Sequence, residues 1–258
     1  VVVVLGDISP RTVGESASRT SLELPGRQLQ LVQAVYGAGK PVVVVLVNGR
    51  PLGINWVDRY VPGIIEAWFP GAQGGAAIAE ALFGDYNPGG KLTVTFPKTA
   101  GQIPFNFPSK PNAQWEGERT RVNGALYYFG HGLSYTTFEY SNLKINPSKQ
   151  TAGGNVSVSL DLKNTGAREG DEVVQLYTRD LVSSVTTYEK NLRGFERVHL
   201  KPGETRAVTF TLKPEDLALW DRSMRFVVEP GAFRVMVGSS SEDIRLKGDF
   251  EITAEGNK

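Results

Sequence analysis

Apolar residues follow two different rhythms along this chain. In the first stretch, to about Phe96, unbroken apolar runs alternate with helical patterns. Val1–Leu5 is a run of four valines and a leucine, and it reads as a strand buried on both faces. A helix is predicted from about Pro25 to Tyr36, where Leu29, Val32 and Val35 share one face. Pro25 suits its first turn, and Gly37 with Gly39 suits its end. The segment "KPVVVVLVNGR" supplies a second buried strand that stops at Asn48-Gly49, and a polar stretch follows. "GIIEAWFPG" reads as a third strand, "QGGAAIAEALFG" as a small-residue helix, and "KLTVTFP" as a last strand at an edge or in the opposite direction. This alternation predicts an α/β domain over residues 1–101, with a mostly parallel sheet and flanking helices.

From about Thr136 the period becomes two. "NVSVSLDLKNTG", "DEVVQLYTRD", "NLRGFERVHLKPGE", "TRAVTFTLKPED", "MRFVVEPG" and "AFRVMVGSSS" are short strand patterns divided by Asn-Thr-Gly, Lys-Pro-Gly and Glu-Pro-Gly turns. Val156, Val158, Leu160 and Leu162 alternate with polar residues, so one face is buried and the other wet. An all-β sandwich of the immunoglobulin or fibronectin type III kind is predicted over residues 136–258. Residues 102–135 are rich in Pro, Gly, Asn and aromatics, and too apolar for a disordered linker, so an ordered connector is expected there.

Composition narrows the chemistry. A net charge of +1 over 258 residues gives no broad electrostatic case for nucleic acid or an anionic membrane. No apolar stretch is long enough to span a bilayer. With 0 cysteines there are no disulfides, thiolate zinc sites or Cys nucleophiles, and 2 histidines exclude a multi-histidine metal centre. No cofactor motif is present. Carboxylates, hydroxyls, lysines and tyrosines remain. A hydrophobic strand at residue 1, with no polar lead-in, also leads us to expect that this chain is the C-terminal piece of something longer.

In open α/β sheets functional groups gather beyond the carboxyl ends of the strands. Three segments qualify: the one after Leu5, the one from Asn48 to Pro51, and "FPGAQGG" from Phe69 to Gly75. The first contains "GESASRTS", where Glu15 stands among small hydroxyl residues and Arg19. By itself it reads as a surface carboxylate; Asp7 is near in sequence, but carboxylate chemistry needs pairing in space. "FPGAQGG" matches neither a dinucleotide fingerprint nor a phosphate loop and is read as tight helix packing. His131 is read as a packed loop residue, His199 as a surface strand residue and Trp220 as a sandwich residue. Tyr127, Tyr128, Phe129, Tyr135 and Phe138 form either a sugar-lining cluster or, preferred, a hydrophobic seam between domains. Trp115 is the better candidate for a ring facing substrate.

Several stretches together resemble glycoside hydrolase family 3 β-glucosidases and β-xylosidases, above all the bacterial periplasmic β-glucosidase branch. They are "GESASRTSLELPG", "KPVVVVLVNGRPL", "EAWFPGAQGGAAIAEALFGDYNPGGKLTVTFPK", "GQIPFNF", "NGALYYFGHGLSYTTFEYSNL", "NLRGFERVHLKPGE" and "EPGAFRVMVG". The resemblance implies an N-terminal (β/α)8 barrel carrying an aspartate nucleophile, then an α/β sandwich domain with the acid/base glutamate, then a fibronectin-like domain. This chain is similar to the later part of the second domain plus the third, so the nucleophile is not in it. By match to the family's loop, Glu15 takes the general acid/base position, and Ser16, Ser18 and Arg19 shape that loop. Arg19 is expected to face a partner other than Glu15, because a nearby cation opposes acid duty.

The implied activity is retaining, exo-acting hydrolysis of terminal β-D-glucosyl residues from a β-glucoside or oligosaccharide, without metal or cofactor. The implied location is periplasmic or secreted. A β-xylosidase or related exo-glycosidase is the alternative within the family, and a non-catalytic carbohydrate-binding or structural module the alternative outside it. The missing barrel portion is the implied partner, and a homodimer is compatible with the resemblance. Without the barrel, this polypeptide alone is expected to turn over no substrate.

Overall fold

The strands of the first unit are β-branched runs, and each ends where polarity returns. In the computed structural model, which describes residues 1–7, 12–13, 19–111 and 122–254, the chain forms two compact units. The first takes in the described residues up to 86 together with 94–106 and 122–127. The second takes in 87–93, 107–111 and 128–254. The segment expected as a connector is therefore shared between them.

In the first unit β1 (Val2–Gly6), β2 (Val43–Val47) and β3 (Gly63–Glu66) form a parallel sheet in the order β1-β2-β3. Val2 lies opposite Val43, and Leu46 opposite Glu66, so all three strands point their carboxyl ends the same way. Helix α1 (Gln28–Gly37) crosses from β1 to β2, α2 (Asn55–Tyr60) from β2 to β3, and α3 (Gly74–Phe83) follows β3. Val3, Leu5, Val32, Val44, Leu46, Leu52, Ile54 and Val57 make the core.

The opening run differs from its expectation. Val3 and Leu5 are buried, but Val2 and Val4 are 51% and 64% exposed, so β1 packs through one face only. The expected helical face of Leu29, Val32 and Val35 does line the core, although the helix begins at Gln28, with Pro25 in the turn before it. Helix α2 was not anticipated, because six residues with one buried member, Val57, are too short to show a period. "KLTVTFP" is not a strand. Phe96 makes a single bridge to Tyr127, through Phe96 N–H to the Tyr127 carbonyl at 2.8 Å and Leu126 N–H to the Phe96 carbonyl at 2.8 Å.

The second unit is a two-sheet sandwich. One sheet holds β4 (Phe138–Asn146), β6 (Val156–Asn164) and β9 (Thr205–Leu212) in the order β4-β6-β9. The other holds β5 (Lys149–Thr151), β7 (Gly170–Asp180), β8 (Asn191–Leu200), β12 (Gly231–Gly238) and β13 (Ile244–Thr253), in the order β5-β13-β12-β7-β8. A short helix, α4 (Pro214–Leu217), precedes a small hairpin of β10 (Leu219–Trp220) and β11 (Phe226–Val227). Val156, Val158, Leu160 and Leu162 face inward with Val174, Leu176, Val235 and Val237, as their alternation requires. Strands β4 and β13 escaped the sequence reading because charged and polar residues dilute their alternation. "MRFVVEPG" contributes only the two residues of β11.

Buried polar groups fix the sandwich's register. Asn164, fully buried, donates to the carbonyls of Arg168 at 2.8 Å and Leu200 at 3.0 Å, and accepts from the Thr136 hydroxyl and Gly166 N–H. Lys91 pairs with Glu172 at 2.9 Å, and both side chains are nearly enclosed.

One glycine in the first unit is dictated by close approach. Gly6 sits at φ 132°, and a Cβ there would overlap the Val47 carbonyl on β2. Gly6→Ala is therefore expected to destabilise the chain by about 2–4 kcal/mol, from backbone strain plus overpacking, as read by urea unfolding. A change within ~0.5 kcal/mol would show that the β1–β2 spacing relaxes freely.

Candidate active site

The carboxyl edge of the parallel sheet gathers the charged and amide side chains that end its three strands. Gly6 is fixed first: its N–H donates to Gln28 Oε1 at 2.8 Å, and its carbonyl accepts from Gln28 Nε2 at 2.8 Å. The next residue continues the pairing, with Asp7 N–H on the Val47 carbonyl at 2.9 Å. The Asp7 side chain is fully enclosed, and each of its oxygens has its own cation. Arg19 Nη1 lies 2.7 Å from Oδ1 and Arg50 Nε 3.2 Å from Oδ2. Arg19 also donates to the Thr12 carbonyl at 3.3 Å and, through Nη2, to the Glu23 carbonyl at 2.7 Å. One guanidinium thus ties together residues 7, 12 and 23.

Asn48, the residue after β2, is fully buried and connects this group to a second one. Its Nδ2 donates to the Arg50 carbonyl at 2.7 Å and approaches Glu66 Oε2 at 3.4 Å. Its Oδ1 has no hydrogen-bond partner among the described residues. Glu66 closes β3, and its Oε1 accepts from Trp68 N–H at 3.1 Å. Trp68 holds a left-handed φ of 52° and sets its ring against Phe96, with centroids 5.9 Å apart.

Burial pushes the Glu66 carboxyl up to about 7, although the hydrogen bonds from Trp68 and Asn48 pull the other way. Two carboxyls on one sheet edge therefore meet opposite environments. Asp7 faces two guanidinium groups, whereas Glu66 has no ion pair among the described residues and is desolvated. In the sandwich, burial likewise raises Asp180 to about 6. Among the described residues no three His, Asp or Glu side chains gather to hold a metal ion. None of the described helices is long and apolar enough to cross a membrane.

Of the residues singled out in the sequence, Arg19 lies in the Asp7 cluster, while Glu15, Ser16, Ser18 and Trp115 lie outside the described residues. His131 is part of a turn, with its N–H on the Tyr128 carbonyl. His199 is exposed on β8, its Nδ1 2.7 Å from Asp171 Oδ1. Trp220 is 59% exposed and meets the Phe226 ring at a tilt across the β10–β11 hairpin, with centroids 5.3 Å apart. Of the aromatic cluster, Tyr127 donates its hydroxyl to Asp58 in the first unit, while in the second Phe129 stacks on Phe107 and Phe138 enters the sandwich core. The segment from Asn48 to Pro51 was singled out in the sequence, but neither Asn48 nor Glu66 was named individually. The available signal was an acid or amide placed directly at the carboxyl end of an apolar strand, in "LVNG" and "GIIE".

Comparison with known proteins fits this architecture. Residues 1–135 match the glycosyl hydrolase family 3 C-terminal domain, and residues 172–241 match a fibronectin type III-like domain. The chain belongs to glycosyl hydrolase family 3. A β-xylosidase of Formosa agariphila is 46% identical over 250 residues, which is 96% of this chain and 34% of that protein. A periplasmic β-glucosidase of Salmonella typhimurium is 42% identical over 262 residues, which is 98% of this chain and 34% of that protein. Among solved structures, a β-glucosidase of Erythrobacter marinus matches at TM-score 0.92 and 38% identity, over 98% of this chain and 34% of its own. A β-glucosidase of Listeria innocua in complex with glucose matches at TM-score 0.90 and 35% identity, over 99% of this chain and 36% of its own. The family 3 chain described here thus spans about a third of the length of these relatives.

The raised Glu66 carboxyl fixes the sign of a pH dependence. Between 4.5, its ordinary value, and about 7, the folded chain holds a proton that the unfolded chain has lost. Stability therefore falls as pH rises through that window. After allowance for partial solvent exposure, the loss attributable to Glu66 is on the order of 1–2 kcal/mol. Glu66→Gln is expected to flatten the profile between those limits in urea unfolding, and an unchanged slope would remove Glu66 as its source.

Proposed function

We propose that this chain is the C-terminal part of a retaining exo-β-glucosidase that releases terminal, non-reducing β-D-glucosyl residues, and that Glu15 is its general acid/base. The observation that carries the reading is the match over nearly the whole chain to β-glucosidases, one of them solved with glucose bound. The nucleophile, an aspartate on a barrel domain, lies outside this sequence, as do the floor and specificity contacts of the sugar site. A periplasmic or secreted location belongs to the same proposal and draws on the periplasmic Salmonella relative.

The division of labour follows from the chemistry of retention. One carboxylate attacks the anomeric carbon while a carboxylic acid about 5 Å away gives its proton to the departing oxygen. In the second step the same residue, now ionised, takes a proton from the water that cleaves the glycosyl-enzyme bond. Glu15 would serve both steps. Its segment leaves the sheet at Asp7, beyond the carboxyl end of β1, where α/β sheets commonly present functional groups. Ser16 and Ser18 would offer hydroxyls to sugar or carboxyl, and Trp115 a ring for the pyranose face. Arg19 is the candidate loop residue with observed partners, and those are Asp7, Thr12 and Glu23.

A β-xylosidase is the second reading, favoured by the 46% identical Formosa protein of that activity. The choice turns on barrel contacts to the sugar's C5 substituent, so a comparison of kcat/KM on aryl β-glucoside and aryl β-xyloside decides it.

Two measurements test the main reading. The isolated chain should show no turnover of an aryl β-glucoside, while the chain joined to its barrel portion should; full activity in the isolated chain refutes the proposal. In the joined enzyme, Glu15→Gln should slow alkyl β-glucosides by about 10²–10⁴-fold. Aryl glucosides with good leaving groups should lose mainly deglycosylation, and azide should restore it. Wild-type kinetics in that variant would remove Glu15 from the mechanism.

A further inference from the structure

We propose that Asp7 is a positioning residue for the acid/base segment, acting through its paired contacts with Arg19 and Arg50. The inference rests on the reading of Glu15 as acid/base and adds to it the group that anchors its segment.

Asp7 has the properties of an anchor. Its backbone is locked to β2 through the Val47 carbonyl, and the residue before it is clamped on both sides by Gln28. Its side chain is fully enclosed and cannot turn to another partner without exposing two cations. Both oxygens are engaged, one by each arginine. Arg50 is in turn held by its own carbonyl on the buried amide of Asn48. The rigid sheet edge therefore fixes the carboxylate, and the carboxylate fixes Arg19.

Arg19 converts that rigidity into a constraint on the loop. Residues 7 and 19 bracket Glu15 in sequence, and the Asp7–Arg19 pair joins those two positions directly. The same guanidinium holds the Thr12 carbonyl inside the bracket and the Glu23 carbonyl beyond it. Proton donation demands a narrow range of positions, and a fixed Arg19 is the anchor from which a nearby acid would be presented. The pair also gives the Arg19 charge a partner other than the acid. A cation left beside a general acid would favour its ionised form and oppose donation.

A structural ion pair alone would affect all substrates alike once the protein is folded. A positioning role instead makes the loss depend on how much protonation the leaving group needs. The test uses the complete enzyme, with methyl β-glucoside as the poor leaving group and 2,4-dinitrophenyl β-glucoside as the good one. Asp7→Asn keeps the shape and removes the charge. Its kcat/KM should fall at least about tenfold on the methyl glucoside and less than about threefold on the dinitrophenyl glucoside. Equal losses on both substrates, or no loss on either, overturn the proposal.

Glu15→Gln is measured in parallel. If it lacks leaving-group dependence, the acid/base reading itself fails. If it shows that dependence and Asp7→Asn does not, only the role of Asp7 falls. Should Asp7→Asn not fold, Arg19→Lys serves instead, because lysine can face Asp7 but lacks the planar fork that reaches Thr12 and Glu23 together. The same leaving-group split, in smaller measure, is expected, and a uniform loss again overturns the proposal.

Discussion

A carboxylate enclosed at the end of a parallel strand is costly unless its charge and both its oxygens are matched. At Asp7 they are matched by two arginines, and much of the first unit is arranged so that this can happen. Gly6 lets β1 approach β2 closely enough for Asp7 N–H to reach the Val47 carbonyl. Gln28, at the start of α1, grips the Gly6 peptide and so couples the helix to the strand end. Asn48 orients the Arg50 backbone from the end of β2. Each contact is modest alone, but they share atoms and neighbours, so removing one leaves another group buried without its partner.

The same edge carries a second acid under contrary conditions. Glu66 has an amide and a backbone N–H for company but, among the described residues, no cation, and desolvation prevails. Two acids at the ends of the outer strands of one sheet thus sit among different neighbours, two guanidinium groups for Asp7 and an amide with a backbone N–H for Glu66. The wider consequence is that the sheet edge is not a uniform anionic surface. It has a cation-bound pole at Asp7 and a proton-retaining pole at Glu66, linked through Asn48.

The sandwich solves a different problem. Its hydrophobic alternation would tolerate more than one pairing of strands, since register shifts by two residues preserve the buried face. Buried polar groups remove that freedom. Asn164 satisfies groups from the Thr136 turn, the Arg168 turn and the end of β8 simultaneously, which only one register allows. The Lys91–Glu172 pair and the Gln175 amide on the Gly130 and Ser239 carbonyls do the same for the extended segments that lie on β7. These contacts are polar where the core is apolar, and their geometry is directional where dispersion is not.

The periodicity of side chains settled the two-part architecture, because alternation of period two and of 3.6 reports directly which face meets water. It found β2, β3, α1 and α3, and most of the sandwich strands, since in these the buried positions are both apolar and regularly spaced. It failed where spacing and burial part company. Helix α2 is too short to repeat, β4 and β13 carry charges between inward residues, and Lys91–Pro97 looks like a strand but lacks a ladder partner beyond one bridge. The motif "GESASRTS" pointed to Glu15 through resemblance, and Arg19 was the member of it that the fold connects to Asp7. No spacing rule could have joined Asp7 to both Arg19 and Arg50, 12 and 43 residues away. Residue type was written in the sequence; which carboxyl would meet two guanidinium groups was decided only when three strands brought their ends together.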